Sequence, residues 1–366
     1  MGIRPILARF ILLQEQPVKF SIVLYMERHS PDQDMREVRN NLMELVRMAD
    51  QGGFEVIWTG EHHSLEFTIS PNPLLTLANW ANVVQNARLG TAVISAPYWH
   101  PIRLAGEAAM VDLLTDGRLE LGIARGAYQR EFDRMLGKGI DQREGVAYLK
   151  EMIPALKELW KGDYAHDGKY WSFPAATSVP KPLQRPHPPL WVAARDEGTF
   201  DYAFENGCNI MSTPLNSPVE EVQNLSRKFR EACERHPDVP TPRFMMLRRT
   251  CVYDRPEQAS MPVEASVAYS RAFATLFRNA GGVTNGFAEL APMEAIQDRA
   301  DLTPDALQQN LMFGTPEEVV EKLKVYEAAG VDLFCFGADG ATFGMPFEFT
   351  RRSLELFIER VMPHFK

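Results

Sequence analysis

Eight short runs rich in β-branched and aromatic residues are spaced along this 366-residue chain, and a helical pattern follows most of them. They read as strands over 18–25, 53–58, 87–95, 119–124, 190–194, 209–212, 244–253 and 331–337. After the first, Leu42, Leu45, Val46 and Ala49 recur at helical spacing until Gly52-Gly53 stops the helix. Further helices are predicted over 74–84, 102–114, 143–160, 199–205, 218–235, 316–329 and 347–361. Thr315 stands before Pro316 as an N-cap should. This alternation predicts parallel strands joined by crossover helices, and eight units of it predict an α/β fold of the (β/α)8 TIM-barrel type. A doubly wound sheet would want a glycine-rich phosphate loop after the first strand, where Tyr25-Met26-Glu27-Arg28 offers no glycine.

The barrel is expected to form one domain over residues 18–366, behind an N-terminal extension at 1–17. Arg9 interrupts the apolar stretch of that extension and no small-residue cleavage site follows, which argues against a targeting peptide. Two stretches exceed ordinary loop length, 163–189 and 254–310. Both are expected at the rim as lids or substrate covers, with a pair of packing helices as the plainer reading of the second. A net charge of −9 argues against nucleic-acid backbones and anionic membranes as partners. Cys208, Cys233, Cys251 and Cys335 lack CxxC spacing, so they are expected to be reduced, mostly buried thiols of a cytoplasmic protein.

In such a barrel, chemistry collects at the C-terminal ends of the strands. Glu61-His62-His63 falls there after the second strand, where alternating side chains let one imidazole face a site and the other the wall. Histidine titrates nearest neutrality and can manage a proton, although two histidines after a strand also serve as caps and packing groups. The Glu-His-His order lacks the HExxH spacing of a zinc helix, and no metal is expected. Ser95 to His100 follows the third strand, Arg125-Gly126-Ala127-Tyr128 the fourth, Arg195 to Thr199 the fifth and Gly337 to Gly340 the eighth. Two arginines, several aromatics and few carboxylates suit a large, partly aromatic anion better than hydrolysis. No nucleophilic serine or cysteine stands in a recognisable setting.

These blocks together resemble the bacterial luciferase-like flavin monooxygenases from Val18 to Phe365. The likeness is densest in GFEVIWTGEHH, Pro71-Asn72-Pro73, LGTAVI, DGRLELGIARGAYQREF, FGTPEEVVEKL and GVDLFCFG. The resemblance implies a barrel holding FMN at its C-terminal mouth. It makes His62 the active-site histidine near the flavin ring, with Glu61 orienting it, and His63 structural. Ala92-Val93 falls where the family often has a cis non-prolyl peptide bulging toward the flavin. Arg125 and Arg143 match arginines that reach the flavin phosphate, and Tyr128 an aromatic beside the flavin chain. Ala194, Arg195 and Thr199 lie in the turn that cradles that phosphate at a helix N-terminus, whose orphan N–H groups favour anions. Asp196 and Glu197 depart from the small residues usual there and would repel a dianion. Tyr98, Trp99 and His100 are expected at the substrate mouth.

The implied reaction uses reduced FMN from a separate NAD(P)H-dependent flavin reductase, and O2, to oxygenate a small, apolar organic substrate through a C4a-peroxyflavin. Light emission is not expected, because Ala124 and Ala338 stand where light-emitting α subunits carry a cysteine and a glutamate. The alternatives are an F420-dependent dehydrogenase of the same superfamily and a non-catalytic, flavin-binding subunit. A homodimer is the oligomer the resemblance implies.

Overall fold

The computed structural model describes residues 17–338 and 343–365, so most of the predicted extension and the loop at 339–342 lie outside it. Thirteen strands and eleven α-helices follow one another among the described residues. In chain order the first are β1 (Lys19–Val23), α1 (Met35–Gly52), β2 (Val56–Thr59), α2 (Pro73–Trp80), β3 (Arg88–Ser95), α3 (Pro101–Leu114) and β4 (Leu119–Ala124). Next come α4 (Gln129–Met135), α5 (Gly145–Lys161), the hairpin β5 (Tyr164–Asp167) and β6 (Ser172–Ala176), β7 (Leu190–Ala193), α6 (Glu197–Glu205) and β8 (Asn209–Ser212). Then α7 (Val219–Arg235), β9 (Phe244–Val252), α8 (Ser260–Arg278) and the short hairpin β10 (Val283–Thr284) and β11 (Phe287–Ala288). The chain closes with α9 (Pro304–Asn310), β12 (Met312–Gly314), α10 (Pro316–Ala328), β13 (Leu333–Gly337) and α11 (Phe347–Leu356).

The ring runs β13-β1-β2-β3-β4-β7-β8-β9, all parallel, and closes because β9 pairs with both β8 and β13. These eight strands are the eight read from sequence, and the fold is a TIM barrel. Its wall alternates as a pleated strand must. Val23, Trp58, Trp191, Met211, Met245 and Cys335 pack inside, whereas Ile22, Ile57, Leu89 and Ile123 face the helices. Trp58 and Trp191 meet edge to face at 5.4 Å and fill the barrel's interior. Gly90 opposes the Trp58 ring so closely that a Cβ there would overlap it.

Local signals explain where the elements begin and stop. Gly53 caps α1 with φ of 88°, in the left-handed region, so β2 begins only at Val56 and not at Gly53 as the apolar run suggested. Asn72 accepts from Leu75 N ahead of Pro73 at the first turn of α2, and Thr315 forms a capping box with Glu318 on α10. Helix α2 ends at Trp80, earlier than predicted, and the last predicted helix passes into a π-turn at Phe357–Val361.

The two long rim stretches hold structure that periodicity did not reveal. The first carries the β5–β6 hairpin, tied to α5 by Glu151, which accepts from the backbone of Lys169, Tyr170 and Trp171. The second is one long helix, α8, then a hairpin and α9, rather than a pair of helices alone.

Candidate active site

The residues after β2 are held by partners from two other strand ends, those of β3 and β4. Glu61 is 4% exposed and does not reach His62. Its Oε1 pairs with His63 Nε2 at 2.7 Å, its Oε2 accepts from Ser95 N at 2.7 Å, and both oxygens accept from Trp99 Nε1 at 3.0 Å. The expectation that Glu61 orients His62 is therefore corrected. A buried carboxylate must collect donors, and those within reach of Glu61 belong to the wall.

His62 is oriented by Glu131, a residue of α4 that sequence reasoning did not single out. His62 Nδ1 lies 3.1 Å from Oε1 and 3.2 Å from Oε2 of Glu131, whose side chain is 1% exposed. Oε1 also accepts from His63 N at 2.7 Å. The imidazole stacks on Tyr128 at 4.7 Å and 19°. With Nδ1 engaged, Nε2 is the nitrogen left for chemistry. His62 lines a cavity of about 360 Å³ shared with Leu65, Glu66, Ser70, Asn285 and Gly286. The only sequence signal for Glu131 was its place in the QREF block beside Tyr128.

His63 is wall, as expected. Burial opposes its charge, but the hydrogen bond to Glu61 and the charges of Glu61 and Glu131 outweigh that and raise its pKa. Trp99, expected at the substrate mouth, is 5% exposed, because its indole N–H serves Glu61. His100 caps α3 by accepting from Ile102 N and lies against Phe173 of the β5–β6 hairpin. Tyr98 packs on Phe132 and His63, and its hydroxyl has no partner among the described residues. Burial and the charges of Glu131 and Glu61 push its pKa up.

At the barrel lip the Ala92–Val93 peptide is cis, and the β3–β4 ladder slips between Thr91 and Ile94. Tyr25 donates to the Ala92 carbonyl at 3.2 Å. Ala92 and Val93 cover an apolar interior holding Trp58 and Trp191, and the buried Trp58 Nε1 has no partner among the described residues. A flat, small-residue lip over apolar rings with a donor left over fits a flavin ring.

The phosphate end fits less simply. Arg125 is half-buried beside the Gln142 carbonyl. Arg143 is 85% exposed and gripped by Asp141 at 2.6 Å. Asp196 caps α6, taking both Thr199 N at 3.0 Å and the Thr199 hydroxyl at 2.8 Å, and Arg195 pairs with Glu221 at 3.5 Å. Asp196 thus occupies two of the donors expected to hold a phosphate, and Ala194 lies buried beside them.

Residues 18–333 match the model of the luciferase-like monooxygenase family. The chain belongs to that family. It is therefore a monooxygenase on a TIM barrel, an oxidoreductase that consumes O2, as the motif blocks implied. It is 45% identical over 350 residues to the flavin-dependent trigonelline monooxygenase, oxygenase component, of Acinetobacter baylyi, covering 95% of this chain and 96% of that one. It is 25% identical over 309 residues to the FMNH2-dependent dimethylsulfone monooxygenase of Pseudomonas putida, covering 80% and 81%. Among solved structures it resembles the monooxygenase RslO1 of Streptomyces bottropensis, with a TM-score of 0.78 and 26% identity over 95% of this chain and all of that one.

Proposed function

We propose that this luciferase-like monooxygenase is the oxygenase component of a two-component system acting on a flat nitrogen-heteroaromatic carboxylate of the trigonelline type. A separate NAD(P)H-dependent reductase supplies reduced FMN. The observation that carries the reading is His62, clamped at Nδ1 by Glu131 and opening on a cavity at the strand ends. The 45% identity along nearly the whole chain supports the substrate class and favours the flavin branch over F420 chemistry.

Reduced FMN supplies the electron pair with which O2 is cleaved, one oxygen entering the substrate and the other leaving as water. The chain's residues bind, orient and keep the site dry. Ala92 and Val93 would carry the ring over the Trp58–Trp191 interior, whose apolar rings exclude water. Arg125 would receive the phosphate, with Tyr128 beside the flavin chain, while Arg143, Arg195 and Thr199 would reach it only by leaving Asp141, Glu221 and Asp196. His62 Nε2 faces the reacting oxygen as the proton-handling nitrogen, while Glu131 fixes the ring by accepting from Nδ1–H. Tyr98 is a wall of the same mouth.

Residues 18–366 act as one catalytic domain in this reading. Helices α2 and α3 pack together and expose Leu75, Met110, Leu113 and Leu114, a face suited to a homodimer. The buried free cysteines and the absence of any described helix able to cross a membrane suit a cytoplasmic enzyme. The test supplies reduced FMN, isotopically labelled O2 and trigonelline. One labelled oxygen in the product supports the reading, and His62→Ala should abolish its formation. An unlabelled product, an unchanged substrate, or an undiminished His62→Ala rate overturns it.

A further inference from the structure

We propose that Glu66 is the specificity residue of the cavity at His62. Its carboxylate receives the positively charged nitrogen edge of an N-alkylated heteroaromatic ring. The inference rests on the monooxygenase reading above.

Its place follows from how the chain folds back after β2. His62 and Ser70 oppose each other in an antiparallel bridge, with His62 N donating to the Ser70 carbonyl at 3.1 Å. Opposed residues in such a bridge put their side chains on one face, so Ser70 lines the same cavity as the imidazole. Between them, Glu66 is pinned at both backbone groups. Its N–H donates to the Gly286 carbonyl and its own carbonyl accepts from Arg28 N, each at 2.9 Å. Gly286 turns the β10–β11 hairpin with φ of 86°, and a Cβ there would come within 3.0 Å of Glu66 Cγ. The hairpin tip therefore packs on the stem of the carboxylate as well as holding its backbone.

Charge decides what this corner accepts. Among the described residues that line the cavity, Glu66 carries the only carboxylate, and no lysine or arginine joins it. Arg28 meets Glu66 Oε1 at 3.4 Å from outside that lining, and its other guanidinium nitrogens serve the Ser30 and Pro31 carbonyls. Glu66 Oε2 and the hydroxyl of Ser70, a residue only 2% exposed, are buried with no hydrogen-bond partner among the described residues. Polar atoms buried in that state cost free energy, which marks a wall shaped for a polar guest and not for packing alone. Behind the imidazole, Glu131 adds a second negative charge. The corner thus attracts a cation and repels an anion. An alkylated ring nitrogen has no N–H to donate, so the charge of a carboxylate recognises it where a neutral acceptor does not. The acid group of a trigonelline-type substrate then turns away from His62.

The test uses two matched pairs of ligands, trigonelline against nicotinate and N-methylnicotinamide against nicotinamide. Within each pair the difference is the N-methyl group and its positive charge. Binding to full-length wild type and variants is measured by calorimetry. Wild type should favour the cationic ring of each pair, and Glu66→Gln should weaken those two ligands on the order of 10- to 100-fold while leaving the uncharged rings unmoved. Glu66→Asp keeps the charge and should recover part of the preference. Arg28→Met removes the partner of the carboxylate without touching the cavity lining and should keep the preference. Equal binding within both pairs by wild type, or equal weakening within both in Glu66→Gln, overturns the proposal. So does a loss in Arg28→Met as large as that in Glu66→Gln, which would make the pair merely structural. A wild type that favours both cations yet takes trigonelline no better than N-methylnicotinamide, or never oxygenates it, counts against the substrate reading above and not against Glu66.

Discussion

Glu131 meets His62 through both carboxylate oxygens, at 3.1 and 3.2 Å from Nδ1, although the two residues follow different strands of the barrel. The same carboxylate takes the backbone N–H of His63, so one buried side chain fixes both the ring and the peptide that carries it. This is the orienting partner that a proton-handling imidazole needs.

Glu131→Gln keeps the size of that partner but lets its amide present a donor to Nδ1. The expected result is a fall in kcat on the order of 100-fold, with KM and the melting temperature much less affected. Glu61→Gln is the contrast: it loosens His63 and Trp99 and should lower stability more than kcat. Steady-state kinetics and thermal melts on both variants decide it; equal kcat losses would count against the division of labour.

His63 predicts a pH dependence of stability. Burial disfavours its charge, but Glu61 and Glu131 outweigh that and raise its folded pKa above 6.5. Its stabilisation is therefore complete below that unfolded value and lost as pH rises through the raised one. Calorimetric melts should show a decline as pH rises above 6.5 that His63→Gln removes. A wild-type curve indistinguishable from that of His63→Gln would show that the pair is not linked to folding.

The barrel was legible because its signals are local. Period-two runs, glycine stops at Gly52-Gly53 and the Thr315-Pro316 start each act within a few residues. The β5–β6 hairpin and α8 were not legible, since their order comes from contacts made elsewhere, such as Glu151 with the hairpin backbone. The site divided the same way. Its strand-end residues could be placed by counting, but which carboxylate serves which histidine depends on how α4 folds back, and no spacing encodes that.

Asp196 offers a test at the phosphate end. Its carboxylate occupies Thr199 N and Oγ1, the donors a phosphate would use. Asp196→Ser keeps a good N-cap, so helix α6 should lose little stability. It removes a negative charge from the anion's position, so FMN should bind several-fold more tightly in fluorescence titrations, with the gain shrinking at high salt. Weaker FMN binding by this variant would mean that Asp196 helps to shape the cradle and does not merely obstruct it.

Gly60 links the histidine pair to the barrel lip, and its lack of a side chain is a steric requirement. A Cβ there would lie 2.8 Å from the Ala92 carbonyl oxygen and 2.9 Å from the Tyr25 ring. Backbone on one side and a ring bonded to that same carbonyl on the other leave no flexible end to give way. Gly60→Ala must therefore move either the lip at Ala92–Val93 or the start of Glu61-His62-His63. Overpacking of this kind costs about 1–3 kcal/mol. The expected outcome is a lower melting temperature together with weakened FMN binding, whereas Tyr25→Phe, which removes only the hydroxyl, should retain FMN binding. If Gly60→Ala melts and binds FMN as wild type does, the lip has slack that these contacts exclude, and the coupling between strand end and lip is wrong.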